Sequence, residues 1–259
     1  MALSATARPI EGAVATQGVS DRVAFLRKTY AHLGGALIAF AVVTAAIMNY
    51  ATELSLKFAG FGGTGMNFLL IMLLFVGVNY GAQRLAMSET SRGLQYAGLG
   101  LAVVLWSFIA QPIIWFAVLK FGGAHALSRN LSGTLTPHLS PEAALVLGEA
   151  TIVALAIFLG LTATVFITKK DFTFLRGILT VATFALIGIA LASALFGFSM
   201  GMIYSGFVIA LMAGYILYQT SLILGYFRPT QYVAAALMLF TTVVTLFIHV
   251  LNILASSRR

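Results

Sequence analysis

Seven apolar runs, at residues 30–50, 68–86, 94–119, 143–168, 174–195, 200–224 and 232–254, alternate with polar breaks along the chain. Each is about 20 residues or longer, enough for a helix rising about 1.5 Å per residue to cross a hydrocarbon core about 30 Å thick. The runs are continuously apolar and lack the two-residue alternation of a barrel strand with a lumen-facing side. The pattern therefore predicts an all-α membrane protein with seven transmembrane helices. Inside the third run, Gln111-Pro112 predicts a kink, because proline removes an N–H and crowds the preceding turn. Trp106 is expected to pack inside the bundle and Trp115 to stand in an aromatic belt at the outer interface.

Composition agrees: of 259 residues, 60% are hydrophobic and 8% charged, and the mean hydropathy is +1.00. A soluble domain has no use for such a surface. The absence of cysteine excludes disulfides, thiolate metal sites and cysteine nucleophiles together. The first run is read as a retained span, since the segment before it carries Glu11 and Asp21 beside its basic residues.

The formal charge of +8 reads as a topology signal. With the N-terminus cytoplasmic, Arg8, Arg22, Arg27, Lys28, Arg84, Arg92, Lys169, Lys170, Arg176 and Arg228 lie inside, against Lys57, Lys120, Arg129, Arg258 and Arg259 outside. Ten against five favours an N-in, C-out arrangement, which the terminal arginines oppose. The basic residues are scattered over several loops, which suits membrane lipids as partners and excludes nucleic acid. The expected compartment is the cell inner (plasma) membrane. Residues 1–22 read as a flexible tail, 23–255 as the transmembrane domain and 256–259 as a short C-terminal tail. Residues 120–142, with Gly122, Gly123, Ser128, Pro137 and Pro141, form a long polar outer loop.

Few residues carry chemistry. Glu149 and His249 are the ionisable groups placed at membrane depth, both toward the outer end. Two readings are open: a pair that binds a proton or a cation, or two separate interfacial groups. Asp171, beside Lys169 and Lys170, precedes a helix and suits an N-cap accepting from the N–H of residue 173 or 174. Gly197-Phe198-Ser199-Met200-Gly201 spells G-x-S-x-G, but in a turn with no strand before it. It reads either as a small-residue contact between the fifth and sixth helices or as part of an intramembrane serine hydrolase using Ser199, His249 and Glu149. The first is the preferred reading, and no enzyme activity is expected. Nothing matches a nucleotide loop, haem ligand set or zinc site, so no cofactor is expected.

Three stretches carry a resemblance: Phe25-Leu26-Arg27-Lys28-Thr29-Tyr30, Gly160-Leu161-Thr162 running into Thr168-Lys169-Lys170-Asp171-Phe172-Thr173-Phe174-Leu175, and Gly214-Tyr215-Ile216-Leu217-Tyr218. They resemble the Bax-inhibitor, or transmembrane Bax inhibitor motif, family over roughly residues 22–255. The resemblance implies six helices surrounding a central seventh and a pH-sensitive calcium leak. For some members it also implies binding to membrane-protein quality-control proteases. Arg84 resembles an arginine with which a family carboxylate pairs, and snorkelling to the surface is its plainer role.

The chain departs from that pattern where the chemistry lies. The family's Tyr-Asp-Thr in the sixth span is here Tyr218-Gln219-Thr220, and the position of a second Asp, in the seventh span, holds Thr242. Two neighbouring carboxylates in low dielectric cannot both ionise and so form a proton switch. Gln219 and Thr242 do not titrate. The expectation is a Bax-inhibitor-like cation or calcium leak, or a stress-regulatory membrane protein, with carboxylate gating weakened or lost. A regulatory protein binding a membrane protease stands beside it as the alternative.

Overall fold

The computed structural model describes residues 11–61, 65–89, 91–129, 135–198 and 201–258, and forms seven helical passes. They are α1 (Val19–Tyr50), α3 (Gly65–Ala86), α4 with α5 (Arg92–Ile109 and Gln111–Gly122), α6 (Pro141–Thr168), α7 (Arg176–Phe196), α8 (Gly201–Tyr226) and α9 (Tyr232–Ser257), with a short α2 (Thr52–Phe61) between the first two. The seven apolar runs are thus the seven passes. The third is interrupted at Ala110, where α5 starts with Pro112 in its first turn, the place where a missing N–H does no harm.

The last helix is the core. In its most apolar stretch α9 is 67% buried, against 11% for α3 and α7. It is apolar over most of its circumference, as a helix enclosed by others must be, with Thr241, Thr245, His249 and Asn252 in a narrow polar stripe. Its Ala234, Ala235 and Ala236 are all buried, and small side chains let neighbours approach where van der Waals contact holds helices together. α1 turns Phe25, Thr29, Leu33, Ala36, Phe40, Thr44 and Met48 inward, a stripe at steps of three and four. Phe40 meets Phe240 and Phe247 of α9 edge-on. α6 presents Val146, Ala150, Ala154 and Phe158 in the same manner.

Five passes, α1, α3, α4 with α5, α6 and α8, pack on α9, whereas α7 packs chiefly on α8 and α3. The expected ring of six around one is therefore drawn with one member displaced outward. Ile152, Ile167, Phe184, Ile203 and Phe207 are all more than 60% exposed on the outer surface. So wide an apolar coat needs lipid as its solvent.

Three expectations need correction. From residue 11 onward, the tail expected over residues 1–22 is folded. Val14 is fully buried and donates its N–H to Phe227 O at 2.9 Å, and α1 already begins at Val19. An apolar residue beside the exposed carbonyls that end α8 explains the docking. Residues 1–10 lie outside the described residues. Trp115 does not join an aromatic belt: it is 1% exposed, because α2, which the sequence presents only as a polar break, folds over it. Finally, the 120–142 segment, expected as a loop, holds regular structure in its described parts. β1 (Leu127–Arg129) pairs antiparallel with β2 (Leu135–Pro137), and Ser140 caps α6 by accepting the Ala143 N–H at 3.1 Å.

Both ends of the bundle are now placed. Lys120 Nζ donates to Ala255 O at 2.8 Å and Arg258 O at 2.7 Å. The C-terminus therefore shares an end with α2 and the hairpin, opposite the end that holds residue 14 and the 169–173 turn. α9 makes a full pass and is not re-entrant.

Candidate functional site in the bundle core

Gln219 lies seven residues before the end of α8, and Thr242 ten residues after the start of α9. At about 1.5 Å per residue that sets them about 10 and 15 Å below the same end of the bundle. Thr242 Oγ1 donates to Gln219 Oε1 at 2.9 Å and also lies 3.3 Å from Met238 O. Both residues are buried, at 8% and 4% exposure, with Thr220 beside them at 2%. The two positions singled out from the sequence thus meet across the α8–α9 contact. A neutral hydrogen bond stands at this point in the core, with no group there to gain or lose a proton.

The motif residues around it act on packing. Gly214 faces Leu179 of α7 so closely that a Cβ would lie 2.7 Å from Leu179 Cδ2, while Tyr215 OH and Thr183 Oγ1 are 2.8 Å apart. The Gly-Tyr stretch therefore locks α7 onto α8. In the inner-loop motif, Lys169 ends α6 in a left-handed conformation, φ 52°. Asp171 Oδ1 accepts the Thr173 N–H at 2.8 Å, as its sequence position suggests. Ser221 Oγ accepts the Phe172 N–H at 3.1 Å, fastening the turn to α8 two residues from Gln219.

Arg84 is not part of this cluster. Its Nε donates to Tyr80 OH at 2.8 Å and its guanidinium covers the Tyr80 ring, one turn back on the exposed side of α3. Glu149 and His249 do not pair either. Glu149 forms an ion pair with Arg258, and His249 Nδ1 lies 3.1 Å from the hydroxyl of buried Ser205. Both lie toward the same end of the bundle, as their places in the sequence imply, but sequence position does not say which helix faces each. Arg258 was the partner to find, since a C-terminus at the end where α6 starts brings it to the first turns of that helix.

The Gly197–Gly201 stretch is not a close helix contact. A Cβ at either glycine would meet nothing within 4 Å, and their φ angles are 73° and 56°. They are present for backbone conformation between α7 and α8. Ser199 lies outside the described residues. Among the described residues no three His, Cys, Asp or Glu side chains converge as a metal ligand set would.

The fold and site define a seven-pass helical membrane protein whose buried last helix carries a polar contact to its predecessor. Residues 131–259 match the model of the family described as "Inhibitor of apoptosis-promoting Bax1". That region holds the 160–175 and 214–218 motifs and both Gln219 and Thr242, while the 25–30 motif lies outside it. Similar proteins include "Bax inhibitor 1" of Schizosaccharomyces pombe, 35% identical over 126 residues (47% of this chain, 46% of the yeast protein). An uncharacterized protein of Pseudomonas aeruginosa is 34% identical over 147 residues (54% of this chain, 63% of that protein). "Protein LIFEGUARD 3" of Arabidopsis thaliana is 29% identical over 175 residues (62% and 71%). The chain spans less than two thirds of the length of the yeast and Pseudomonas relatives. The match to the Bax-inhibitor family thus covers the C-terminal part of the chain, residues 131–259.

Proposed function

We propose that the protein is a Bax-inhibitor-type cation leak of the cytoplasmic membrane, calcium included. In this reading its N-terminus is cytoplasmic and its central path is held by a neutral contact in place of a titrating carboxylate pair. The observation that carries the reading is the buried hydrogen bond from Thr242 to Gln219. It occupies the two positions where the family resemblance puts aspartates, on the helix that all but one of the other passes enclose. A hard divalent cation favours charged oxygen ligands, so this path discriminates weakly among cations. With nothing at that site to titrate, the leak is small and indifferent to pH.

Calcium flux into proteoliposomes at about pH 6 and about pH 8 tests this. The unchanged protein is expected to give a small flux equal at both values. The Gln219→Asp/Thr242→Asp double variant is expected to give a flux that depends on pH. Strong pH-dependent flux in the unchanged protein would move the switch elsewhere in the bundle. No flux in either form would remove the leak.

A further inference from the structure

At the end of the bundle that holds residue 14, α1, the last turns of α6 and α8 and the 169–173 turn enclose a groove of about 590 Å³. Its mouth carries Arg22, Lys169 and Lys170, with one carboxylate, Asp171. Asp171 is engaged with the Thr173 N–H, and among the described residues it makes no ion pair with any of the three cations. The groove therefore keeps an excess of positive charge at its rim.

Below the rim the walls turn apolar: Val23 and Leu26 from α1, Val165 and Phe166 from α6, Leu224 from α8. Val165 lies one helical turn before Lys169, so charge gives way to hydrocarbon within about 6 Å along the helix axis. Val23 is 58% exposed and Val19, on the same side of the groove, 69%. Such side chains are left uncovered where acyl chains, not water, reach them. The groove sits at the ends of three passes, and the ends of spanning helices meet lipid headgroups.

We infer that this groove is a binding site for one anionic phospholipid, its phosphate held by Arg22, Lys169 and Lys170 and its acyl chains lying against the α1 and α6 walls. Charge complementarity selects the occupant. A zwitterionic lipid leaves the three cations without a net countercharge. A free anion leaves the apolar walls wet. Basic pockets between helices at a membrane surface recognise anionic headgroups in this way, and the volume is of the size that holds a small ligand. The site is independent of the Gln219–Thr242 contact and of whether the protein conducts.

Native mass spectrometry of the purified full chain tests the assignment, comparing retention of phosphatidylglycerol and phosphatidylcholine with the same acyl chains. The unchanged protein is expected to keep one phosphatidylglycerol with a preference of at least about tenfold. Arg22→Gln/Lys169→Gln/Lys170→Gln should abolish that preference, and Arg22→Lys/Lys169→Arg/Lys170→Arg should restore it, which separates lost charge from lost folding. Arg27→Gln/Lys28→Gln/Arg92→Gln removes equal charge near the same end but outside the groove, and should leave the preference in place. Equal loss in the two neutralised triples would mean diffuse surface attraction and overturn the site. No preference in the unchanged protein, or displacement of the lipid by inorganic phosphate alone, would overturn it as well.

Discussion

The indole N–H of Trp115 donates to Ser55 Oγ at 2.6 Å, and that hydroxyl donates onward to Gln111 Oε1, also at 2.6 Å. The Gln111 amide continues to Ser107 O at 3.0 Å. One serine on the short α2 thus satisfies two buried groups of α5. Ser55→Ala leaves an indole N–H and an amide oxygen without partners in a site where Gln111 and Trp115 are almost wholly enclosed. The expected loss is about 1–3 kcal/mol, seen as a lower thermal midpoint in detergent. Adding Gln111→Leu should cost less than the sum of the two single changes, because the same network is already broken.

At Gly98 α4 lies directly against the backbone of α3. A Cβ there would lie 2.5 Å from Ala82 O and 2.7 Å from Ala86 N. Both are backbone atoms, which cannot swing aside as a side chain would. Gly98→Ala should therefore push the two helices apart and destabilise by about 1–3 kcal/mol. Gly100→Ala, in open space two residues on, should be neutral or slightly stabilising. Thermal midpoints of the two variants measured side by side check the contrast.

What the chain made legible, and what it did not, follows from the solvent. A lipid-spanning helix must be long and apolar, so the seven passes stand out in residues 30–254 without any knowledge of packing. The bond from the Thr173 N–H to Asp171 was readable because it is local, although Phe172 and not Asp171 holds the cap position of the short helix that follows. The Gln219–Thr242 meeting was readable from the family pattern, which pairs those positions. Glu149 with Arg258 and His249 with Ser205 depend on which helix faces which, and apolar periodicity says little about that when lipid and protein are equally oily. The Trp115 position failed for a related reason: Thr52–Phe61 is too short to span, and its covering role emerges only from tertiary contacts with α5.

Lys120 holds the end of α9. Its ammonium donates to Ala255 O and Arg258 O, supplying the last turn with a donor and placing positive charge at the negative end of the helix dipole. Lys120→Met keeps much of the stem and removes both contacts. Amide exchange of residues 252–257 should rise while that of residues 233–244 stays unchanged, with a global loss of about 1 kcal/mol or less. Faster exchange along the whole of α9 would mean that Lys120 supports the bundle, not one helix end.

The Thr242–Gln219 contact predicts both a coupling energy and its response to pH. Gln219→Leu and Thr242→Val should each destabilise the bundle, and the double variant less than additively. Coupling between hydrogen-bonding side chains inside a membrane averages about 0.6 kcal/mol and reaches about 1.7, and because neither residue titrates it should be the same at about pH 5 and about pH 8. Gln219→Asp/Thr242→Asp should behave otherwise. Two carboxylates forced together in the core cannot both ionise, so at least one has its folded-state pKa raised above its unfolded value. The folded state then holds the proton more tightly, and the stability this supplies is complete at low pH and is lost as pH rises through the raised pKa. Thermal midpoints across that range should fall with pH in the double aspartate variant and stay level in the unchanged protein. A level profile in both would show that water already reaches Gln219 and Thr242, and that the core around them is not dry.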